Sequence, residues 1–188
     1  ILPAGPIATA GVPYPVFIWA EDAYGNTVQD YESVLNVTDS MGSLSSVSCE
    51  EGTIRYCILT LTKAGLDTVL IASDDHGATG ESEPITVVAG PATVLSITGP
   101  SSPLVAGVAA SVTAQVADSF DNPVAIDPTG ADVFSAEDGS GTATCDWEGE
   151  PLPGTHDLAC LTTQAGLAVS LVVSLDSLGL ATAAEVVD

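Results

Sequence analysis

The chain has 188 residues, 46% of them hydrophobic, which is enough to build a core in one large domain or in two smaller ones. Its 25 acidic residues are set against only Lys63 and Arg55, and the formal net charge is −23. A surface of this charge repels nucleic-acid phosphates and anionic lipid headgroups, and no apolar run approaches the roughly 18 residues of a membrane span. We therefore expect neither nucleic-acid binding nor membrane insertion.

The first half of the chain matches the second half when the sequence is shifted on itself by 96 residues. The shift places Asp22 on Asp118 and Cys49 on Cys145 without a gap. Beyond that point, Cys57 matches Cys160 only after a seven-residue insertion in the second copy. The sequence therefore predicts two copies of one structural unit.

The boundary between the copies is predicted at Ala89-Gly90-Pro91. Residues 84–88 before it are typical of a closing strand, and residues 92–97 after it are typical of an opening strand. We assign the first repeat to residues 1–89 and the second to residues 90–188. A linker of about three residues that contains proline is short and fairly stiff.

The clearest strand covers residues 14–22 of the first repeat. Tyr14, Val16, Ile18 and Ala20 share one face of it, which we expect to be the core face. Phe17 and Trp19 then point outward, where the second repeat has Thr113 and Gln115. Exposed aromatic area usually marks a contact site. Three interpretations stay open: subunit packing in a polymer, a sugar-stacking surface, or cover by a loop of the same module.

Turns rich in aspartate follow several predicted strands, at residues 22–26, 74–77 and 118–122. Carboxylates gathered at the ends of a sandwich could bind calcium, which takes six to eight oxygen ligands. No EF-hand-like loop collects them in sequence, and aspartate in a turn already has a local role as an acceptor for its own backbone. We therefore expect no cofactor, with calcium as the one possible exception.

Asn36-Val37-Thr38 is an N-glycosylation sequon. Leu35 and Val37 should face inward, so strand alternation sends Asn36 to the solvent face. That position would permit a glycan, and we carry Asn36 as a predicted glycosylation site.

The four cysteines are distributed two to each repeat. Of the three possible connectivities, the simplest joins Cys49 to Cys57 and Cys145 to Cys160. No Cys-x-x-Cys pair is present, which disfavours a zinc site. Disulfides indicate an oxidising location, so we expect an extracellular or cell-surface protein.

The sequence offers little that could carry out catalysis. The only histidines, His76 and His156, are interpreted as polar residues of surface loops. No nucleophile-elbow pattern surrounds any serine, and no glycine-rich phosphate loop is present. We therefore predict that the protein is not an enzyme.

Turn residues recur every 8 to 12 positions between short apolar blocks, which is typical of an all-β sandwich or barrel. In the first repeat, Ala10-Gly11, Tyr14-Pro15-Val16 and the run from Glu21 to Asn26 resemble the opening of bacterial immunoglobulin-like repeats of the invasin or filamin type. The second copy, from Ala89-Gly90-Pro91 to Asn122, is similar, although Asp121 stands where the first repeat has Gly25.

This resemblance implies two tandem immunoglobulin-like β-sandwich domains of about seven strands each, in a surface adhesin or extracellular filament. We predict a structural repeat that self-associates into a polymer or contacts neighbouring repeats of its own chain. The alternative is an adhesive or carbohydrate-binding module with a glycan as its partner. Phe17 and Trp19 are the predicted intermolecular contacts in both cases.

The two repeats differ at their openings. Ile1 aligns with Ile97, so the first repeat lacks the part of the opening strand that residues 92–96 supply in the second. A sheet that lacks half a strand has an unpaired edge, which another copy could fill by strand addition. The chain could equally be a fragment of a longer array.

Overall fold

The computed structural model describes residues 1–99, 105, 107–126, 134–137, 144–147, 154–161, 169–175, 180 and 183–187. The chain divides into two units, Ile1–Gly90 and Pro91–Asp188. Every regular element in the described residues is a β-strand. Consequently this part of the chain has no helix long and apolar enough to cross a membrane.

The first unit contains ten strand segments, some of them only two or three residues long. They are β1 (Leu2–Pro3), β2 (Ile7–Thr9), β3 (Pro13–Trp19), β4 (Leu35–Asp39), β5 (Leu44–Cys49), β6 (Ile54–Leu61), β7 (Gly65–Thr68), β8 (Leu70–Asp74), β9 (Thr79–Glu81) and β10 (Ile85–Val88). The described residues of the second unit form β11 (Val94–Thr98), β12 (Ala109–Ala117), β13 (Phe134–Glu137), β14 (Thr144–Trp147), β15 (Thr155–Leu161), β16 (Val169–Leu175) and β17 (Ala183–Val187).

The first unit has two layers of sheet. One layer is the antiparallel sheet β1-β3-β6-β5. The other consists of the sheets β2-β10-β7 and β4-β8-β9, in which only the β2–β10 pair is parallel. Because only Val69 separates β7 from β8, these two small sheets continue one another along the chain.

The core of the first unit lies between these layers and follows from strand alternation. Along β3, Tyr14, Val16 and Ile18 are buried, as predicted, whereas Ala20 lies beyond the end of the strand and is half-buried. Leu59 and Leu61 of β6 and Leu70 of β8 have no exposed surface. Each fully buried leucine or valine contributes roughly 1.5 to 3 kcal/mol to the free energy of unfolding.

The second unit repeats the same arrangement. The order β11-β12-β15-β14 corresponds to β1-β3-β6-β5, and β13-β16-β17 forms a second sheet. Val112, Ala114 and Val116, the counterparts of Val16, Ile18 and Ala20, are all buried. The predicted all-β class with two tandem β-sandwich units is confirmed.

In both units the chain makes the same turn shortly after its central strand, at residues 22–26 after β3 and at residues 118–122 after β12. In the first, the Asp22 carboxylate accepts hydrogen bonds from the backbone N–H groups of Tyr24 (2.8 Å) and Asn26 (2.9 Å). The fourth position of each turn is left-handed, with φ of 80° at Gly25 and 63° at Asp121. Aspartate is among the few side chains that tolerate this region, so the replacement of glycine by Asp121 preserves the turn.

The disulfides of the two units occupy different positions along the strand. Cys49 and Cys57 lie opposite each other on β5 and β6 and are joined by a disulfide. Cys160 is also disulfide-bonded, and the backbone of Cys145 lies opposite it; of Cys145 only the backbone is described. Cys57 lies opposite Val16, whereas Cys160 lies opposite Ala110.

The 96-residue shift matches Ala110 to Tyr14, whose partner on β6 is Leu59. Cys160 therefore corresponds to Leu59, and the predicted match of Cys57 with Cys160 is wrong by two residues. A step of two residues along a strand keeps a side chain on the same face. Both cysteines are consequently buried in spite of the displacement.

His156 was expected in a surface loop, and this expectation is wrong. It lies in β15, opposite Ala114, and only 1% of it is exposed. The alternation His156, Leu158, Cys160 directs the imidazole to the core face of the strand. Burial lowers the pKa of His156 below its ordinary value of 6.5, and the nearby Asp157 carboxylate only partly opposes that effect.

We expect the second unit to lose stability as the pH falls. Because the folded-state pKa of His156 is depressed, the unfolded chain binds the proton more readily. The free energy of unfolding should therefore be constant above about pH 7 and decrease as the pH falls through about 6.5. Urea unfolding followed by Trp147 fluorescence in a Trp19→Phe background measures this. His156→Leu should flatten the profile between about pH 7 and 5.5, and an unchanged profile would show that other groups cause the dependence.

Candidate interaction sites on the first unit

The two aromatic residues of β3 share a face but differ in exposure and in their partners. Phe17 is 38% exposed on the open face of β3, and its ring contacts that of Tyr56 with centroids 5.5 Å apart. Trp19, the last residue of β3, is half-buried, and its indole Nε1 donates to the Glu21 carboxylate at 2.8 Å. Both side chains lie on the outward face of β3, as predicted, but Trp19 is less exposed than Phe17; their role as intermolecular contacts stays a prediction.

Phe17 belongs to a continuous apolar surface on the outside of the sheet β1-β3-β6-β5. We call this surface, formed by Leu2, Pro15, Phe17, Ile54, Tyr56 and Ile58, the outer apolar face. The register places Leu2 and Tyr56 on either side of Phe17, and Ile58 opposite Pro15. Leu2 is 55% exposed and Ile54 is 57% exposed. Ser46, Ser48 and Thr60 border the face in the same register, so these positions carry no charged side chain.

The corresponding face of the second unit is mainly polar. On β12 it presents Ser111, Thr113 and Gln115. On β15 it presents Thr155 and Asp157, followed at the far end by Ala159 and Leu161. The Thr113 hydroxyl donates to the Asp157 carboxylate at 2.9 Å. Two units with the same strand order thus differ in this one surface, which indicates that the apolar character is a property of the first unit and not of the fold.

A second candidate site is a cleft at the end of the first unit, where β3 ends and β6 begins. It has a volume of about 390 Å³, within the range of small-molecule sites. The residues that line this end cleft include Trp19, Glu21, Tyr31, Arg55, Asp74 and Glu81.

Several of these side chains are held in place by hydrogen bonds. The Tyr31 hydroxyl donates to Asp74 Oδ2 at 2.7 Å, and Asp74 Oδ1 accepts the N–H groups of His76 and Ala78. The bond from Tyr31, with smaller contributions from these amides, lowers the pKa of Asp74, and the same bond raises the pKa of Tyr31. Arg55 Nη2 donates to the Ser33 carbonyl at 2.8 Å.

The sequon residue Asn36 is exposed on β4, an outer strand of its sheet. Its neighbour Val37 is buried and Leu35 is half-buried, and Asn36 Nδ2 lies 3.5 Å from the Ser73 hydroxyl. This position is accessible to modification, and the glycan stays a prediction.

The carboxylates of the turn aspartates already accept hydrogen bonds from backbone N–H groups. Hydrogen bonds from the Asn26 side chain and from the N–H groups of Asn26 and Tyr24 lower the pKa of Asp22. Asp75 accepts the N–H of Val34 and lies 3.2 Å from His76 Nδ1. No group of three or more His, Cys, Asp or Glu side chains in the described part of the chain is arranged to hold a metal ion.

No protein-family model matches the chain, and no curated protein sequence does so either. Solved structures do match. FdeC, an adhesin of Escherichia coli, is 19% identical over 99% of this chain and 62% of its own, with a TM-score of 0.49. InvD of Yersinia pseudotuberculosis is 18% identical over 99% of this chain and 56% of its own, with a TM-score of 0.46.

Invasin, a bacterial integrin-binding protein, is 14% identical over 93% of this chain and 36% of its own, with a TM-score of 0.50. The chain spans less than two thirds of the length of each of these three structures. At such identities the likeness shows the fold alone. The chain is a pair of tandem immunoglobulin-like β-sandwich units, folded like the repeats of invasin.

Proposed function

We propose that this chain is a non-catalytic repeat segment of an extracellular or cell-surface protein, a filament or a stalk, which associates through the outer apolar face of its first unit. The fold is shared with invasin, and adhesin and surface-layer structures are among the other matches. The Cys49–Cys57 disulfide suits an oxidising exterior.

The observation that carries the proposal is the contrast between the outer faces of the two units. An exposed apolar patch beside polar residues is typical of an interaction surface. The absence of charge on this patch matters as well, because two copies of a chain with a net charge of −23 repel each other. Contact between copies is least unfavourable where carboxylates are fewest. The six residues of the outer apolar face carry none, and Glu50, whose backbone N–H donates to the Tyr56 carbonyl, lies at its border.

Self-association of the wild-type chain should increase with salt, which screens the repulsion between acidic surfaces. The double variant Phe17→Ser/Ile58→Ser should remain monomeric at concentrations at which the wild type associates. Sedimentation velocity at low and high salt measures both effects. Both side chains are exposed and outside the core, so the fold should be retained.

The matched control is Thr113→Ala/Gln115→Ala on the polar face of the second unit, which should associate like the wild type. A wild-type chain that stays monomeric at every salt concentration, or a double variant that associates as strongly as the wild type, would contradict the proposal. Electron microscopy of natively purified material would then show whether the associated form is a filament.

An adhesive role is the second candidate function, and the end cleft is the observation that favours it. Glycosylation at Asn36, calcium binding by turn carboxylates and strand addition beside β3 all stay predictions. Mass spectrometry of the native protein would test the first of these, and the change in melting temperature on addition of calcium would test the second.

A further inference from the structure

The outer apolar face of the first unit is arranged around Phe17. Along β3, Pro15 and Trp19 stand two residues before and after it, on the same side of the strand. Across the sheet, Leu2 on β1 and Tyr56 on β6 lie directly opposite it, and the rings of Phe17 and Tyr56 are in contact. A partner that covers the whole face must therefore meet Phe17.

The described part of the second unit does not repeat this arrangement. The counterpart of Phe17 there is Thr113, whose hydroxyl donates to the Asp157 carboxylate. The three most exposed large apolar side chains of the described residues lie outside the face, and each adjoins a carboxylate: Tyr24 lies beside Asp22, Val34 beside Asp75 and Leu66 beside Asp67. A second chain that docked there would meet these charges.

Contact of the outer apolar face with its own copy buries the most apolar area at the fewest carboxylates. Both chains then contribute the patch, whereas contact with any other surface buries one copy of it instead of two. A surface that binds its own copy makes a two-fold contact, in which the same residues are used on both sides. Such a pair is closed, because open growth requires contact between two different surfaces of the chain.

The exposed area limits how tightly a pair can form. Leu2 and Ile54 are a little over half exposed, and Phe17 and Ile58 are each 38% exposed. Together these side chains offer an area on the order of a few hundred Å² per copy, which is the low end of specific interfaces. Glu50 at the border and the net charge of −23 also oppose contact. We therefore expect a reversible pair, with a dissociation constant in about the micromolar range or weaker at high salt.

We propose that two copies of the chain pair through their outer apolar faces about a two-fold axis that passes close to Phe17, and that association stops at this pair. The inference rests on the proposed function and deepens it, since the face then joins chains in twos and does not by itself extend a filament. The two outer sheets face each other about 10 Å apart, as packed sheets do, with the Phe17 ring of one chain against the partner's Phe17.

Sedimentation equilibrium of the complete 188-residue chain at high salt tests where association stops. We expect the average mass to rise with concentration and to level off at twice the mass of one chain. A mass that continues to rise beyond two chains would overturn the closed pair but leave association through this face in place. A chain that stays monomeric would contradict the proposed function, and this inference with it.

Two charge variants at one position test the two-fold axis. In Phe17→Glu and in Phe17→Lys, equal charges meet across the axis, so each variant alone should associate about tenfold or more weakly than the wild type. In an equimolar mixture, the introduced positive charge of one chain meets the introduced negative charge of the other. Association should then be about tenfold stronger than for either variant alone. Phe17 lies outside the core, so the fold should be retained, and recovery in the mixture would itself show that both variants fold.

The matched controls are Thr113→Glu and Thr113→Lys, which introduce the same charges at the counterpart position of the second unit and should pair like the wild type. If Phe17→Lys associates more strongly than the wild type, the face docks on an acidic surface of another chain. If the mixture associates no more strongly than the separate variants, Phe17 does not meet its own copy. Either result would overturn the proposal, even where the wild type associates.

Discussion

Asp118→Ala should destabilise the second unit by about 2 to 4 kcal/mol. The Asp118 carboxylate accepts hydrogen bonds from the N–H groups of Phe120 (2.8 Å) and Asn122 (3.0 Å) and from the Asn122 side chain (2.8 Å). Both Asp118 and Asn122 are buried, with 1% and 5% of their surface exposed. Alanine removes the acceptor that these donors share, in a place where water cannot easily replace it.

Asp22→Ala in the first unit is the matched control for this prediction. Asp22 accepts the same set of hydrogen bonds within its turn, but the whole turn is exposed, so water can satisfy the released donors. The loss of stability should be clearly smaller. Urea unfolding monitored by Trp147 for the second unit and by Trp19 for the first compares the two variants, and equal losses would contradict the argument from burial.

Replacing Cys49 and Cys57 together by alanine should destabilise the first unit by about 2 to 3 kcal/mol. The disulfide closes a short loop between directly opposed positions of β5 and β6, and the chain-entropy model assigns an effect of this size to such a loop. For a unit of about 90 residues, the corresponding fall in melting temperature is on the order of 10 °C or more. Calorimetry of the wild type and the double variant under oxidising conditions measures the difference.

Under reducing conditions the wild type should approach the melting temperature of the double variant, because both chains then lack the first disulfide. Cys160→Ala should instead lower the stability of the second unit, where Cys160 is disulfide-bonded. If the double variant melts at the temperature of the oxidised wild type, the bond contributes nothing to the stability of this unit.

Trp19 and Phe17 illustrate how an alternating pattern can assign a face without assigning a function. Alternation directs both side chains outward, and for Phe17 this leads to the outer apolar face. Trp19 has the same orientation, but it stands at the end of β3, where it is half-buried and its indole Nε1 donates to the Glu21 carboxylate. Two residues that are equivalent in the alternating pattern therefore differ in exposure and in hydrogen bonding.

The sequence by itself determined the features that depend on contacts between near neighbours. The repeat, the buried positions of β3 and the turns at residues 22–26 and 118–122 were all predictable, because a strand alternates every two residues and an aspartate bonds to backbone a few residues ahead. The possible pairing of Cys49 with Cys57 also followed from their spacing within one repeat.

Only the tertiary structure decided which of these residues are buried. Asp22 and Asp118 occupy the same turn, yet Asp118 is buried and Asp22 is exposed. His156 was interpreted as a loop residue, but pairing of β15 with β12 places it in the core. Burial depends on which distant segment packs against a residue, and no local pattern contains that information.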